Sequence, residues 1–179
     1  YNVWSISPDG PAKGNSLNLH YGAQHTNIHS PGNRKFQFTG EGYPLTPYRP
    51  SFRAYHGSSA NFSGGATIVW GSTDSNQGGC YSTSTGHFTA PATGFYWFAF
   101  TVKGQSSGQT VYCRAHRSTN NGGSWSGVGP ALEFHNDITS AHTTASFGQQ
   151  LNSGDKLRIA SASNVQIDGS NGFSGFLVG

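Results

Sequence analysis

Residues Gly86 to Lys103 read GHFTAPATGFYWFAFTVK, and the punctuation and alternation of this stretch decide the fold. Pro91 removes a ladder donor and Gly94 supplies backbone freedom, so a short strand ending near Ala90 turns before the next begins. Phe95 to Val102 then reads as a strand, with Phe95, Trp97, Ala99 and Thr101 on one face and Tyr96, Phe98, Phe100 and Val102 on the other. Both faces are apolar. A strand apolar on both sides needs cover on each, from a second layer or from a partner subunit, which points to an oligomer.

The spacing Gly86-x-Phe88-x-x-Pro91-x-x-Gly94-x-Tyr96-x-Phe98 resembles the signature of the complement C1q and tumour-necrosis-factor-like superfamily. Two later stretches match as well. Leu151-Asn-Ser-Gly154-Asp155 resembles the leucine and glycine-aspartate turn before that family's penultimate strand, and Phe173-Ser-Gly175-Phe176-Leu177-Val178 resembles its closing strand. The resemblance extends from about Tyr48 to Gly179. It implies an all-β, ten-strand jelly-roll sandwich that forms a compact homotrimer and binds rather than catalyses. It also implies that aromatic side chains of the Phe95 to Val102 and Gly172 to Val178 strands line the threefold axis. Phe88, Tyr96, Phe98, Phe173 and Phe176 are the expected core or axis residues.

Composition agrees with such a head. The 179 residues suit one jelly-roll domain plus a short appendage. Charged residues are 9% of the chain, against about 25% in ordinary globular domains. With 26 Gly and 8 Pro, that describes a turn-rich extracellular or virion surface better than a cytosolic enzyme. No apolar run approaches the roughly 20 residues of a bilayer span, so no membrane insertion is expected. The chain opens on Tyr1 rather than Met, and the expectation is processing or a longer preceding chain. The formal net charge is +3, but the ten Lys and Arg are scattered. A phosphate-tracking surface needs clustered basic residues, so nucleic acid is not an expected partner. Two cysteines, Cys80 and Cys113, leave two readings open: one bridge, or two separate thiols.

The first 47 residues have a different texture. Leu17, Leu19 and Tyr21, then Ile28, then Phe36 and Phe38 alternate with polar residues between turn signals at roughly ten-residue spacing. Short strands in series are too small to bury a core of their own, so residues 1–47 are expected to pack on the main domain or to interleave with copies of themselves as a stalk. The passage from Phe36 to Pro50 resembles β-structured segments that precede receptor-binding tips of viral and phage fibres. No Gly-x-y collagen repeat is present. In residues 48–179 the expected strands are Ser51 to His56, Thr67 to Gly71, His87 to Ala90, Phe95 to Lys103, Thr110 to Arg117, Ala131 to His135, Ala141 to Leu151, Lys156 to Ser161 and Gly172 to Val178. Asn120-Asn-Gly-Gly123 is the clearest hairpin turn between them.

Catalytic motifs are absent. There is no Gly-x-Ser-x-Gly elbow. Of seven carboxylates only Glu133 and Asp137 are close in sequence, and four residues along a strand span about 13 Å. No enzyme is expected, and no cofactor. A structural calcium ion or an axial metal is the one metal alternative, with Asp74, Asp137, His116 and His135 as its candidates; the plain alternative for these histidines is a polar strand residue facing water. Binding is where the positive signal lies. Trp125 sits in a Gly- and Ser-rich stretch where an exposed indole stacks on a sugar ring, with Tyr81, Trp70 and Tyr55 as further candidates; the alternative is that they cover the sandwich edge or the trimer seam. Asn61-Phe-Ser63 is a glycosylation sequon, meaningful in a secreted eukaryotic protein. Three functions follow as expectations. One is a trimeric fibre tip on virion or phage that binds a cell-surface glycan or protein receptor, attached to fibre or virion proteins through its N-terminus. The others are a secreted animal lectin and a glycan-cleaving fibre enzyme.

Overall fold

A computed structural model describes residues 2–8, 17–23, 34–46, 48–136 and 141–178. The chain divides into two compact units, Tyr1–Arg49 and Pro50–Gly179. The first holds β1 (Asn2–Pro8), β2 (Leu17–Ala23), β3 (Arg34–Phe38) and β4 (Pro44–Leu45), antiparallel in sequence order. The second holds β5 (Ser51–Tyr55), β6 (Ala60–Phe62), β7 (Ser72–Gln77), β8 (Phe88–Thr89), β9 (Gly94–Gly104), β10 (Gln109–Ser118), β11 (Ser126–Asn136), β12 (His142–Leu151), β13 (Lys156–Ser161), β14 (Val165–Ile167) and β15 (Gly172–Leu177). No helix occurs among the described residues.

The second unit is a sandwich. One sheet runs β11-β10-β13-β8, and the other runs β6-β14-β9-β15-β5-β7 with β12 also paired to β9. Burial along β9 alternates without a break. Tyr96, Phe98, Phe100 and Val102 are buried, while the intervening side chains reach the surface, as the sequence pattern requires. The buried set meets Phe52, Trp70, Tyr81, Phe88 and Phe173 in one aromatic core. Phe98 has Phe88 at 5.1 Å, Phe147 at 5.5 Å and Phe173 at 6.0 Å between ring centroids. Gly175, opposite Phe98 on β15, makes that seat possible, because a Cβ there would collide with the Phe98 ring.

The two signature turns are one device. Ala90 N donates to the Asp155 carbonyl (2.9 Å) and Gly154 N to the Ala90 carbonyl (2.8 Å). Ser153 N donates to Thr93 Oγ1 (3.0 Å). Asp155 is buried. Its Oδ2 accepts from Asn152 N (2.7 Å) and from Arg117 Nε (3.0 Å) and Nη2 (2.5 Å). The turn before β9 is thereby tied to the turn before β13, and both to the end of β10.

Three expectations change. Thr67 to Gly71 is no strand; it makes one isolated bridge, Thr67 to Ala160, and the strand lies further on, at β7. β6 and β14 were not expected. The third change concerns β11, which starts at Ser126 rather than Ala131, so Trp125 precedes a strand immediately. The hairpin turn is as expected, with positive φ at Asn121 (60°) and Gly122 (95°). Cys80 and Cys113 are both buried free thiols.

Candidate functional site

Two surfaces of the head carry chemistry. On the seven-stranded sheet, the odd-numbered face of β9 points away from the core. Phe95 and Trp97 are each 42% exposed, and Phe176 of β15, paired with Trp97, is 44% exposed, as is Val178. Gly148 of β12 stands opposite Trp97, and the Phe95 ring lies across it. Further along the same face the side chains turn polar. Thr101 and Thr144 share a hydroxyl hydrogen bond (2.8 Å), and Arg53 pairs with Asp74. Lys103 meets Asp168 at 2.7 Å, and the hydrogen bond from Lys103 holds the Asp168 carboxyl below its ordinary range. The face is therefore apolar at one end and hydrogen-bonding at the other. Apolar side chains of this size, contiguous and left in water, mark a surface that associates.

The second surface surrounds Trp125, on the other sheet. The indole is half-buried. The Arg158 guanidinium lies over it, 4.4 Å from the ring centroid, and the His87 ring packs at 4.9 Å. Trp125 thus already holds a cation against one face, a contact between β13, the residue before β8 and the residue before β11. Burial lowers the pKa of His87, and the charges of Lys156 and Arg158 lower it further. His116, directly opposite Arg158 in the β10/β13 register, is lowered likewise by burial, then by Arg158 and Arg114.

Trp70 and Tyr81 are buried, which corrects the expectation that they offer rings to a ligand: Tyr81 Oη accepts from Trp70 N (3.1 Å) and donates to the Trp70 carbonyl (3.3 Å), locking both into the core. Tyr55 is half-buried at the end of β5. Phe88, Tyr96, Phe98 and Phe173 are core residues, and Tyr96 Oη donates to the Ala92 carbonyl (2.7 Å). Phe176 belongs to the outward face. The metal candidates are not brought together. Asp74 is paired with Arg53, His135 Nδ1 meets Thr110 Oγ1 at 3.2 Å, and Asp137 lies outside the described residues. No group of three or more His, Cys, Asp or Glu side chains converges among the described residues. Asn61 is exposed on β6, its Oδ1 accepting from Gln166 Nε2 (2.9 Å).

Sequence reasoning missed Arg158 and Arg114. A signal was present in the alternation of β10, which puts Arg114 and His116 on one face, but Arg158 joins them only through strand register.

A search of curated proteins finds no match. Among solved structures, the globular domain of zebrafish complement 1qA is similar with a TM-score of 0.56 at 17% identity, covering 73% of this chain and 98% of its own. Eiger TNF of S. frugiperda gives 0.58 at 16%, covering 72% and 92%. Murine APRIL gives 0.57 at 12%, covering 72% and 98%. At these identities the likeness shows a shared jelly-roll fold. The family model of the C1q domain matches residues 51–178, most of the chain and all of β5 to β15 up to Val178, and the chain belongs to the C1q domain family.

Proposed function

We propose that the protein is a non-enzymatic homotrimeric binding module that recognises cell-surface glycans, with residues 1–47 serving as a stalk. The observation that carries this reading is the outward face of β9 and β15. Phe95, Trp97, Phe176 and Val178 form a contiguous apolar face on an otherwise complete sandwich, and burying such a face around a threefold axis supplies the cover that the sequence demands. Three copies of one head multiply weak glycan contacts without any new chemistry. The carboxylates support a binding rather than a catalytic role: Asp74, Asp155 and Asp168 are each tied to a cation. Surface exposure outside the cell is the setting that fits this reading, on a fibre tip or as a secreted lectin; the exposed sequon asparagine Asn61 favours the second.

The test is sedimentation velocity of the full chain followed by a glycan array probed with the purified protein. A trimer that binds saccharides is the expected result. A monomer at all concentrations, or a trimer that binds no glycan, overturns the reading.

A further inference from the structure

We propose that the outer face of the β11-β10-β13-β8 sheet carries a binding site for a saccharide-borne oxyanion, a carboxylate or a sulfate, gripped by Arg114, His116 and Arg158. This rests on the glycan-binding reading above and assigns it a place and a ligand class. A cavity of about 400 Å³ opens there, lined by Tyr112, Arg114, His116, Arg158 and the small residues Ala131 and Ala160. That volume lies within the roughly 300 to 1,000 Å³ of ordinary ligand pockets.

The strands put these three side chains together. Along β10 the odd positions Val111, Cys113 and Ala115 are buried, so Arg114 and His116 point outward. Register sets His116 opposite Arg158 and Arg114 opposite Ala160, whose side chain is a single methyl. The β10/β11 register shifts between Arg114 and Ala115, and Gly129 there has φ of 64°. Such a bulge re-aims the side chains beside it. Gly127 completes the arrangement. The Arg114 guanidinium lies against it, at 2.9 Å from where a Cβ would stand.

Neither arginine is neutralised by a salt bridge, and Arg158 is fixed in place. Arg158 is clamped by Trp125 below and by Thr67, whose Oγ1 accepts from Nη1 at 3.0 Å. Its Nε is buried without a hydrogen-bond partner. A buried guanidinium N–H without an acceptor is rare enough to call for an explanation. Among the described residues no carboxylate lines the cavity. The ion pairs Arg53–Asp74, Lys103–Asp168 and Arg117–Asp155 involve neither Arg114 nor Arg158. Glu133, across the strand pair from Tyr112, is engaged by the Tyr112 hydroxyl. Two guanidinium forks and an imidazole beside a half-open cavity match the planar, multidentate acceptor geometry of a carboxylate or sulfate. A nucleic acid backbone would instead need a basic track of several phosphate spacings, which three residues in a pocket do not provide.

The experiment titrates the full chain with sialyllactose, a sulfated heparin disaccharide, neutral lactose and inorganic sulfate, following the Trp125 indole NH by NMR. At least one acidic saccharide should shift that resonance and bind at least tenfold more tightly than lactose or sulfate. Arg158→Gln should weaken this binding tenfold or more. Gly127→Ala should do the same by displacing the Arg114 guanidinium while every charge remains, and its unchanged melting temperature would show that the fold is intact. Failure of both acidic saccharides to bind overturns the proposal, as does binding that both variants leave untouched. Sulfate binding as tightly as the sugars overturns the saccharide assignment. Neutral glycans captured on the array with no effect of Arg158→Gln would leave glycan binding standing and remove this pocket alone.

Discussion

Trp97 and Phe98 are chain neighbours with opposite fates, and substituting each by alanine separates assembly from folding. Trp97 is 42% exposed on one chain and Phe98 is fully buried. An aromatic side chain buries up to about 250 Å², so closing the exposed part of Trp97 in an interface removes about 100 Å² from water. At about 25 cal/mol per Å² this is about 2.5 kcal/mol per chain. A symmetric trimer repeats the loss three times, about 7.5 kcal/mol in total, or about five and a half decades in the trimer dissociation constant. Since that constant scales with the square of concentration, Trp97→Ala should dissociate at roughly 500-fold higher concentration than the parent. Its own fold should persist. Phe98→Ala instead opens a cavity among Phe88, Phe147 and Phe173 and should cost about 3 to 5 kcal/mol, lowering the melting temperature by roughly 10 °C. Sedimentation velocity across a dilution series, paired with thermal melts, reads both effects. A Trp97→Ala protein that dissociates no more readily than the parent refutes the interface assignment. A Phe98→Ala protein that melts like the parent refutes the core assignment.

Asp155→Ala should remove about 3 kcal/mol, the low end for breaking a buried pair because Arg117 keeps a quarter of its side chain in water; a thermal melt within a degree or two of the parent would contradict the role given to the tied turns. Acid should destabilise the head early. His87 and His116 have folded pKa values below their ordinary 6.5, so the unfolded chain binds their protons first. Their contribution is intact above about pH 6.5 and is lost as pH falls through the lower folded values. Asp168, also depressed, adds a second loss below its ordinary 3.8. Melting temperature recorded against pH should therefore begin to fall near 6.5, and a His87→Gln/His116→Gln variant should flatten that first step; a parent curve level from pH 7.5 to 5 would sink the argument.

The fold was legible because one strand carried it. The unbroken alternation from Phe95 to Val102 and the turns at Pro91, Gly94 and Gly154 are local signals, and the structure uses each as read. What stayed hidden was non-local or unpatterned. β7 reads Ser-Thr-Asp-Ser-Asn-Gln, with no apolar face to betray it, because it lies at the sheet edge beyond β5. Trp70 looks like a ligand platform in sequence, and it is a core residue because Phe173 of the closing strand packs on its ring at 5.3 Å and the Tyr81 hydroxyl holds its backbone. Trp125 stands among glycines and serines, which suggests an open loop. The groups that cover it, His87 and Arg158, arrive from distant parts of the chain through strand pairing.

The two buried cysteines bear on how this head fails rather than how it works. Burial pushes both thiols up to about 11, so at neutral pH only about one in ten thousand is thiolate, the species that exchanges with disulfides. While the domain is folded, both thiols are shielded from exchange with disulfides around it. Once unfolded, both sulfurs recover ordinary reactivity beside exposed aromatic segments, and cross-linking between chains then competes with refolding. Thermal denaturation without reductant becomes a one-way process, and the useful measure of durability is the unfolding rate rather than an equilibrium midpoint.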